Sequence, residues 1–235
     1  MMRKVSSERS FPMAAPAEMK TYPSYLFHMD FVQYRPLFLA HCPPPMLMPK
    51  GSRICKKGIT REWMYYLYQG TLKVYTCNSH GGERLLAFLG EDSLFGLDCL
   101  EADKPSIVTI ECITDAWVSP FKADLLKTIM REEPDFAYAL ALYYAKVMRQ
   151  LCFDAESQSI NDAKIRFSNF LYLYVTSNRS DTVPMSQQEL SSATNCSRSS
   201  ICRICNEFKS LGILRTNGRG LTVLDQTRLK AFCGF

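Results

Sequence analysis

Cys202 and Cys205 stand three residues apart in "TNCSRSSICRICNEFKSLG", a spacing that suits zinc ligation or a cycling dithiol, with Arg198 and Arg203 beside them. A closed structural zinc site takes four ligands. No second CxxC or HxxxH pair occurs, and the three histidines, His28, His41 and His80, are remote in sequence. A disulfide between the two thiols would distort a helix. The other chemistry in the stretch is hydrogen bonding by guanidinium and hydroxyl groups, which suits a polyanion.

The flanking residues say which element carries these groups. "MSQQELSSAT" places Glu189 three residues after Ser186, the capping-box spacing, and predicts a short helix from Gln187 to about Thr194. Asn195 and Cys196 make a tight turn, asparagine being tolerant of positive φ. Ser197 caps a second helix, and Gly212 stands where a left-handed residue would end it. At about 100° per residue, Ile201, Ile204, Phe208 and Leu211 fall on one side of that helix. Arg198, Ser199, Cys202, Arg203 and Asn206 fall on the other, with Cys205 at the edge of the packing side. Two capped helices joined by a turn form a helix-turn-helix, whose second helix enters the major groove of DNA.

The distribution of charge agrees. The chain has 235 residues and a net charge of +5. From 160 to 235 ten bases face five acids, so the last third carries the whole excess. A basic terminal module suits a polyanionic partner. The hydrophobic content of 47% is enough to bury an ordinary core. The longest uncharged apolar run, 136 to 145, is far short of the roughly 20 residues a bilayer span needs, so no membrane partner is expected. Residues 1–20 lack the pattern of a secretory signal, which points to the cytoplasm, and their Ser, Pro and Ala content predicts a poorly ordered tail. The ten cysteines follow no framework spacing and are expected to be mostly reduced and buried.

"WMYYLYQGTLKVYTCN" reads as two short strands about Gly70, and "NSHGGERLLAFLG" as a Gly-Gly turn with another strand. Further strands are expected at Ile107 to Cys112 and Ala116 to Ser119, making an antiparallel barrel or sandwich. From Pro134 to Glu156 the period becomes helical. Leu140, Tyr144, Val147 and Leu151 form a stripe that Phe136, Tyr143 and Met148 widen beyond one contact face. Such a helix packs on two sides, on its own β-domain and on the same helix of a second subunit. The alternative is the core helix of a monomer.

On these residues the chain resembles the Crp/Fnr family of bacterial transcription regulators over nearly its whole length beyond about residue 45. "MSQQELSSATNCSRSSICRICNEFKSLGIL" is similar to the family's helix-turn-helix, and "RTNGRGLTVLD" to the wing hairpin that follows it. "KGSRICKKGITREWMYYLYQGTLKVY" through "GEDSLFG" is similar to its cyclic-nucleotide-binding jelly roll. The resemblance implies an α+β fold: a sensing β roll over 21–130, a long dimerisation helix over 131–158 and a winged helix-turn-helix over 159–235. It implies a homodimer that binds palindromic double-stranded DNA, with RNA polymerase as a further partner. The recognition arginine falls on Arg203, after Cys202, and Arg198 matches an arginine that contacts phosphate or base. Ser199 replaces a glutamate that accepts from cytosine in many members, so the family's usual half-site does not transfer. Ser186, Gln187, Ser197 and Ser200 complete the expected DNA-binding set.

The same resemblance locates what the sensor lacks. In "LFGLDCLEADKPSIVTIEC" Leu97 stands for the glutamate that holds the ribose of cAMP, and Ser106 and Ile107 fall near the arginine-serine pair that holds its phosphate. Cyclic AMP is therefore not the expected effector. Cys42 is the only cysteine before Cys55, too few for an iron–sulfur cluster, and Asp98 stands near the position of a haem-ligating histidine, so no cofactor is expected. Phe95, Leu97, Trp117, Tyr143, Tyr144 and Lys146 are the expected effector pocket, Lys146 supplying a cation for a small aromatic acid. The alternative is a thiol-redox regulator sensing through Cys42, Cys99, Cys112, Cys202 or Cys205. An enzyme of cupin type would need a metal-ligand cluster, and the β-region offers only His80.

Overall fold

A computed structural model describes residues 23–235 except Ala102 and Arg219; the tail expected over 1–20 lies outside the described residues. Strand β1 (Leu26–Phe27) is followed by helix α1 (Arg35–His41), where Pro36 occupies a first-turn position at which its missing N–H costs nothing. Eight strands follow: β2 (Met46–Met48), β3 (Arg53–Cys55), β4 (Met64–Gln69), β5 (Leu72–Cys77), β6 (Glu83–Leu89), β7 (Ser93–Phe95), β8 (Thr109–Cys112) and β9 (Ala116–Phe121). They form two sheets, β1-β6-β5-β8-β3 and β2-β9-β4-β7, antiparallel except where β1 runs parallel to β6. At two residues, β1 is too short to show an alternating pattern in the sequence.

The two strands read about Gly70 are present but do not pair with each other, because the chain switches sheets there. Gly70 has φ +106°, and a Cβ on it would sit 2.5 Å from the Asp115 carbonyl oxygen. Only glycine allows both the angle and the approach.

Helix α2 (Ala123–Glu132) leads into α3 (Pro134–Ile160), one continuous helix of 27 residues. Phe136, Leu140 and Tyr143 of α3 are buried on the β roll. Ring centroids at 4.6 Å (Phe38 to Tyr66), 5.3 Å (Phe38 to Phe121) and 5.8 Å (Phe38 to Phe136) show α1 and α3 closing that core. Beyond that contact α3 is uncovered in the single chain: Tyr138, Leu142 and Met148 are exposed on its far side, and Tyr144 and Leu151 on its flank.

The backbone breaks at Asn161, and Asp162 caps α4 (Ala163–Asn178) by accepting from the Ile165 N–H at 2.9 Å. Then come β10 (Thr182–Val183), α5 (Gln187–Thr194), α6 (Arg198–Ser210), β11 (Leu214–Asn217), β12 (Gly220–Val223) and α7 (Gln226–Lys230), the three strands ordered β10-β12-β11. The core of this half contains Phe167, Phe170, Ile201 and Phe208, and it also takes in Tyr25 and, from β6, Leu85 and Phe88. So β6 serves both halves of the molecule. No helix among the described residues is long and apolar enough to cross a membrane.

Candidate nucleic-acid interface and effector cavity

The predicted capping box forms: the Ser186 N–H donates to Glu189 Oε2 at 2.8 Å, and the Glu189 N–H donates to Ser186 Oγ at 3.2 Å. Ser186→Ala removes one of these bonds and should cost about 1 kcal/mol, lowering the melting temperature of the full chain by about 2–4 °C. A thermal melt followed by circular dichroism checks this, and an unchanged midpoint contradicts it. Asn195 ends α5 at φ 50°, ψ 45°. The turn is clamped by a residue the sequence did not single out: Arg166 of α4 donates to the Thr194 carbonyl (3.0 Å) and the Asn195 carbonyl (3.0 Å). Ser197 caps α6 by accepting from the Ser200 N–H at 3.1 Å.

On α6, Ile201, Ile204, Cys205 and Phe208 are buried, while Arg198, Ser199, Cys202, Arg203 and Asn206 are exposed. Ser186, Gln187 and Ser197 are also exposed and Ser200 is half-buried, so the sequence-derived set surrounds the start of both helices. Arg198 is held by the Gln188 side-chain oxygen. Leu211 departs from expectation. The helix ends at Ser210, Leu211 is partly exposed, and after Gly212 turns the chain at φ +69° Ile213 fills the core instead.

This geometry separates the CxxC pair, one thiol facing solvent and the other packed inside. Burial pushes the Cys205 thiol up to about 11, and Cys42 and Cys112 likewise to about 11. Cys99 is raised for the same reason. Since the thiolate is the reactive form, these four are slow toward oxidants at neutral pH, and Cys202 is the exposed member of the proposed sensors. Among the described residues no three His, Cys, Asp or Glu side chains lie together as a metal site.

A cavity of about 550 Å³ opens between the β roll and α3. Four of the predicted pocket residues, Phe95, Leu97, Tyr143 and Tyr144, line it. Two do not. Trp117 is on β9 opposite Leu47, is partly exposed and does not line the cavity. Lys146 points away from the cavity and pairs with Asp30. The cation expected for an acidic ligand is therefore absent from the lining. Burial raises the phenols of Tyr143 and Tyr144 and keeps both uncharged.

Residues 96–101 and 104–108 border the cavity where the family resemblance implies a phosphate cradle. Gly96 (φ +75°) turns the chain into a short 3-10 helix at Leu97–Leu100. There Asp98 Oδ2 accepts from the Ser106 hydroxyl at 2.6 Å and from the Ile107 N–H at 3.2 Å. A carboxylate already occupies the donors that an anionic ligand would need.

One polar cluster joins the cavity wall to the helix-turn-helix. Arg84 of β6 donates to Asp154 of α3 at 3.0 Å and to the Ala193 carbonyl of α5 at 2.7 Å. Tyr25 donates to the other oxygen of Asp154 at 2.6 Å, and Ser192 donates to the Glu83 carbonyl at 2.9 Å. Nothing in the sequence pattern pointed to these partners.

A family model described as "Cyclic nucleotide-binding domain" matches residues 46–133, and one described as "Crp-like helix-turn-helix domain" matches 166–232. The "Cyclic AMP receptor protein" of Thermus thermophilus is 24% identical over 170 residues, 72% of this chain and 78% of that protein. The "Fumarate and nitrate reduction regulatory protein" of Vibrio cholerae is 22% identical over 200 residues, 79% of this chain and 76% of that protein. Among solved structures, the c-di-GMP responsive regulator CLP of Xanthomonas campestris superposes with TM-score 0.74 at 17% identity, covering 83% of this chain and 99% of that one. OCPA-complexed CprK superposes with TM-score 0.69 at 18% identity, covering 89% and 98%. A β jelly roll joined by a long helix to a winged helix-turn-helix, with both halves matched in this order, places the chain in the Crp/Fnr family of DNA-binding transcription regulators.

Proposed function

We propose that this regulator is a homodimer that reads a palindromic DNA site through α6 and is controlled by a small, non-cyclic-nucleotide effector in the β-roll cavity. In this reading residues 21–130 sense, 131–158 dimerise and 159–235 bind DNA. The observation that carries it is the exposed face of α6, with Arg203 and Arg198 standing out from a helix whose other face is fully packed. Arg203 suits the bidentate contact to guanine O6 and N7, and Ser199 leaves the neighbouring base preference open. The uncovered apolar side of α3 supports pairing with a second copy, since a stripe of that kind rarely stays bare in a monomer.

Control follows from shared walls. Leu86, Ala87 and Leu89 of β6 line the cavity, while Arg84, Leu85 and Phe88 of the same strand touch the helix-turn-helix. A ligand with different affinity for two positions of β6 or α3 would shift how the DNA-binding half is held. RNA polymerase is the further partner this reading implies, and the cytoplasm its location.

Relatives carry cyclic AMP in their names, but here the cradle fits it poorly. Leu97 offers no ribose acceptor, no arginine among the described residues lines the cavity, and Asp98 holds the Ser106 and Ile107 donors. A phosphate at that edge would meet the Asp98 carboxylate, and Lys104 stands at the exposed rim beside Glu101. Isothermal titration of the full chain with cyclic AMP at about 1 mM should give no binding heat; saturable binding would contradict the assignment. The function is tested in parallel by measuring affinity for a selected duplex before and after adding a low-molecular-mass bacterial extract. A reproducible change that the cavity variant Leu97→Trp abolishes supports effector control, and an identical change in that variant contradicts it.

A further inference from the structure

Inside the cavity one polar group has no partner. Gln150, on the cavity side of α3, is 3% exposed, and neither its carboxamide oxygen nor its nitrogen makes a hydrogen bond. The neighbouring Tyr25 hydroxyl gives its proton to Asp154 at 2.6 Å and is left only as an acceptor for the amide nitrogen, so the carboxamide oxygen stays bare. A buried carboxamide left bare in a mainly apolar chamber is unfavourable, and buried polar groups in folded proteins are nearly always bonded. A ligand is the natural partner.

The remaining lining limits what that ligand is. The apolar walls are Phe27, Leu89, Phe95, Leu97, Ile110 and Val147, which favour a flat hydrocarbon body. The charged lining groups are Asp98, Glu101 and Lys104. Lys104 is directed to Glu101 at 3.9 Å and is largely exposed, and Asp98 is satisfied by Ser106 and Ile107. An anion would therefore meet two carboxylates, with Lys104 at the exposed rim, beside Glu101, as the cation among the described lining residues. Its lost hydration would go uncompensated.

We propose that the cavity takes an uncharged, mainly apolar planar ligand carrying a hydrogen-bond donor beside an acceptor, as in a lactam or primary amide, paired in register with the Gln150 carboxamide. Such a ligand satisfies both amide atoms whichever way the side chain is turned. The proposal rests on reading this cavity as the effector site. Gln150 also has a route outward: it neighbours Tyr25, which bonds Asp154, which bonds Arg84, which bonds the Ala193 carbonyl of α5.

Three bicyclic probes of nearly equal size test this on the full chain: 2-quinolinone, with adjacent N–H and C=O; naphthalene, with neither; and 2-naphthoate, with a charge. Titration calorimetry or thermal shift should rank 2-quinolinone about tenfold or more tighter than naphthalene, with 2-naphthoate weakest. Gln150→Leu should bring 2-quinolinone down to the level of naphthalene while naphthalene still binds, which also shows that the variant is folded. Equal binding of 2-quinolinone and naphthalene, unmoved by Gln150→Leu, would overturn the role of Gln150 and leave the cavity reading standing. Tightest binding by 2-naphthoate would overturn the uncharged class. If no probe binds, the cavity reading itself falls.

Discussion

Replacing Asp154 by alanine is expected to destabilise the full chain by about 3–5 kcal/mol and to loosen the helix-turn-helix from the β roll. The side chains of Asp154 and Arg84 are only 10% and 19% exposed, and the carboxylate takes two strong donors, the Arg84 guanidinium and the Tyr25 hydroxyl. Removing it leaves a partly buried cation with the Ala193 carbonyl but no counter-charge, and a buried phenol without its acceptor. That penalty is much larger than the loss of a surface ion pair. The two halves can be followed separately, because both tryptophans, Trp63 and Trp117, lie in the β roll whereas the helices dominate circular dichroism. In Asp154→Ala the dichroism transition should move to lower denaturant than the fluorescence transition. Pairing Asp154→Leu with Arg84→Met should recover most of the loss, since it deletes both charges together. Coincident transitions with a loss below about 1 kcal/mol would show that this cluster does not hold the halves together.

Arg203→Ala is expected to weaken binding to the preferred duplex by about 1–3 kcal/mol per half-site, roughly 10- to 100-fold, while leaving affinity for unrelated duplex nearly unchanged. Arg203 is exposed on the first half of α6, where a recognition helix meets base edges. Arg198 sits at the helix start and is braced by Gln188, an arrangement suited to phosphate. Arg198→Ala should therefore weaken all sequences alike and reduce the salt dependence by about one ion per half-site. Fluorescence anisotropy at several salt concentrations separates the two behaviours. Uniform weakening by Arg203→Ala would move that residue from base reading to backbone contact.

The parts of this molecule that the sequence made legible are those set by neighbours along the chain. Ser186 and Glu189, Asn195, Ser197 and Gly212 each satisfy a local backbone requirement, so both helices of the reading unit were placed by type and spacing. The jelly roll was legible from its aromatic and β-branched runs, although not the sheet switch at Gly70. What stayed hidden depends on contacts distant in sequence. Tyr25 and Asp154 are 129 positions apart and Arg84 and Asp154 are 70 apart, and no periodicity reports such pairs. Gln150 looked like an ordinary polar residue of a helix, because its lack of partners is a property of the folded cavity. Trp117 and Lys146 were misplaced for a related reason. Residue type suggested a pocket, whereas strand alternation and helix phase turn both outward.

Whether α6 reads a specific palindrome is decided by selecting bound sequences from a random duplex pool with the full chain at fixed salt. The expected result is enrichment of an inverted repeat whose half-sites lie about 34 Å apart, one helical turn, with one base pair in each half losing definition when Arg203→Ala is used. Enrichment of a sequence without twofold symmetry, or a profile identical for wild type and Arg203→Ala, would contradict it.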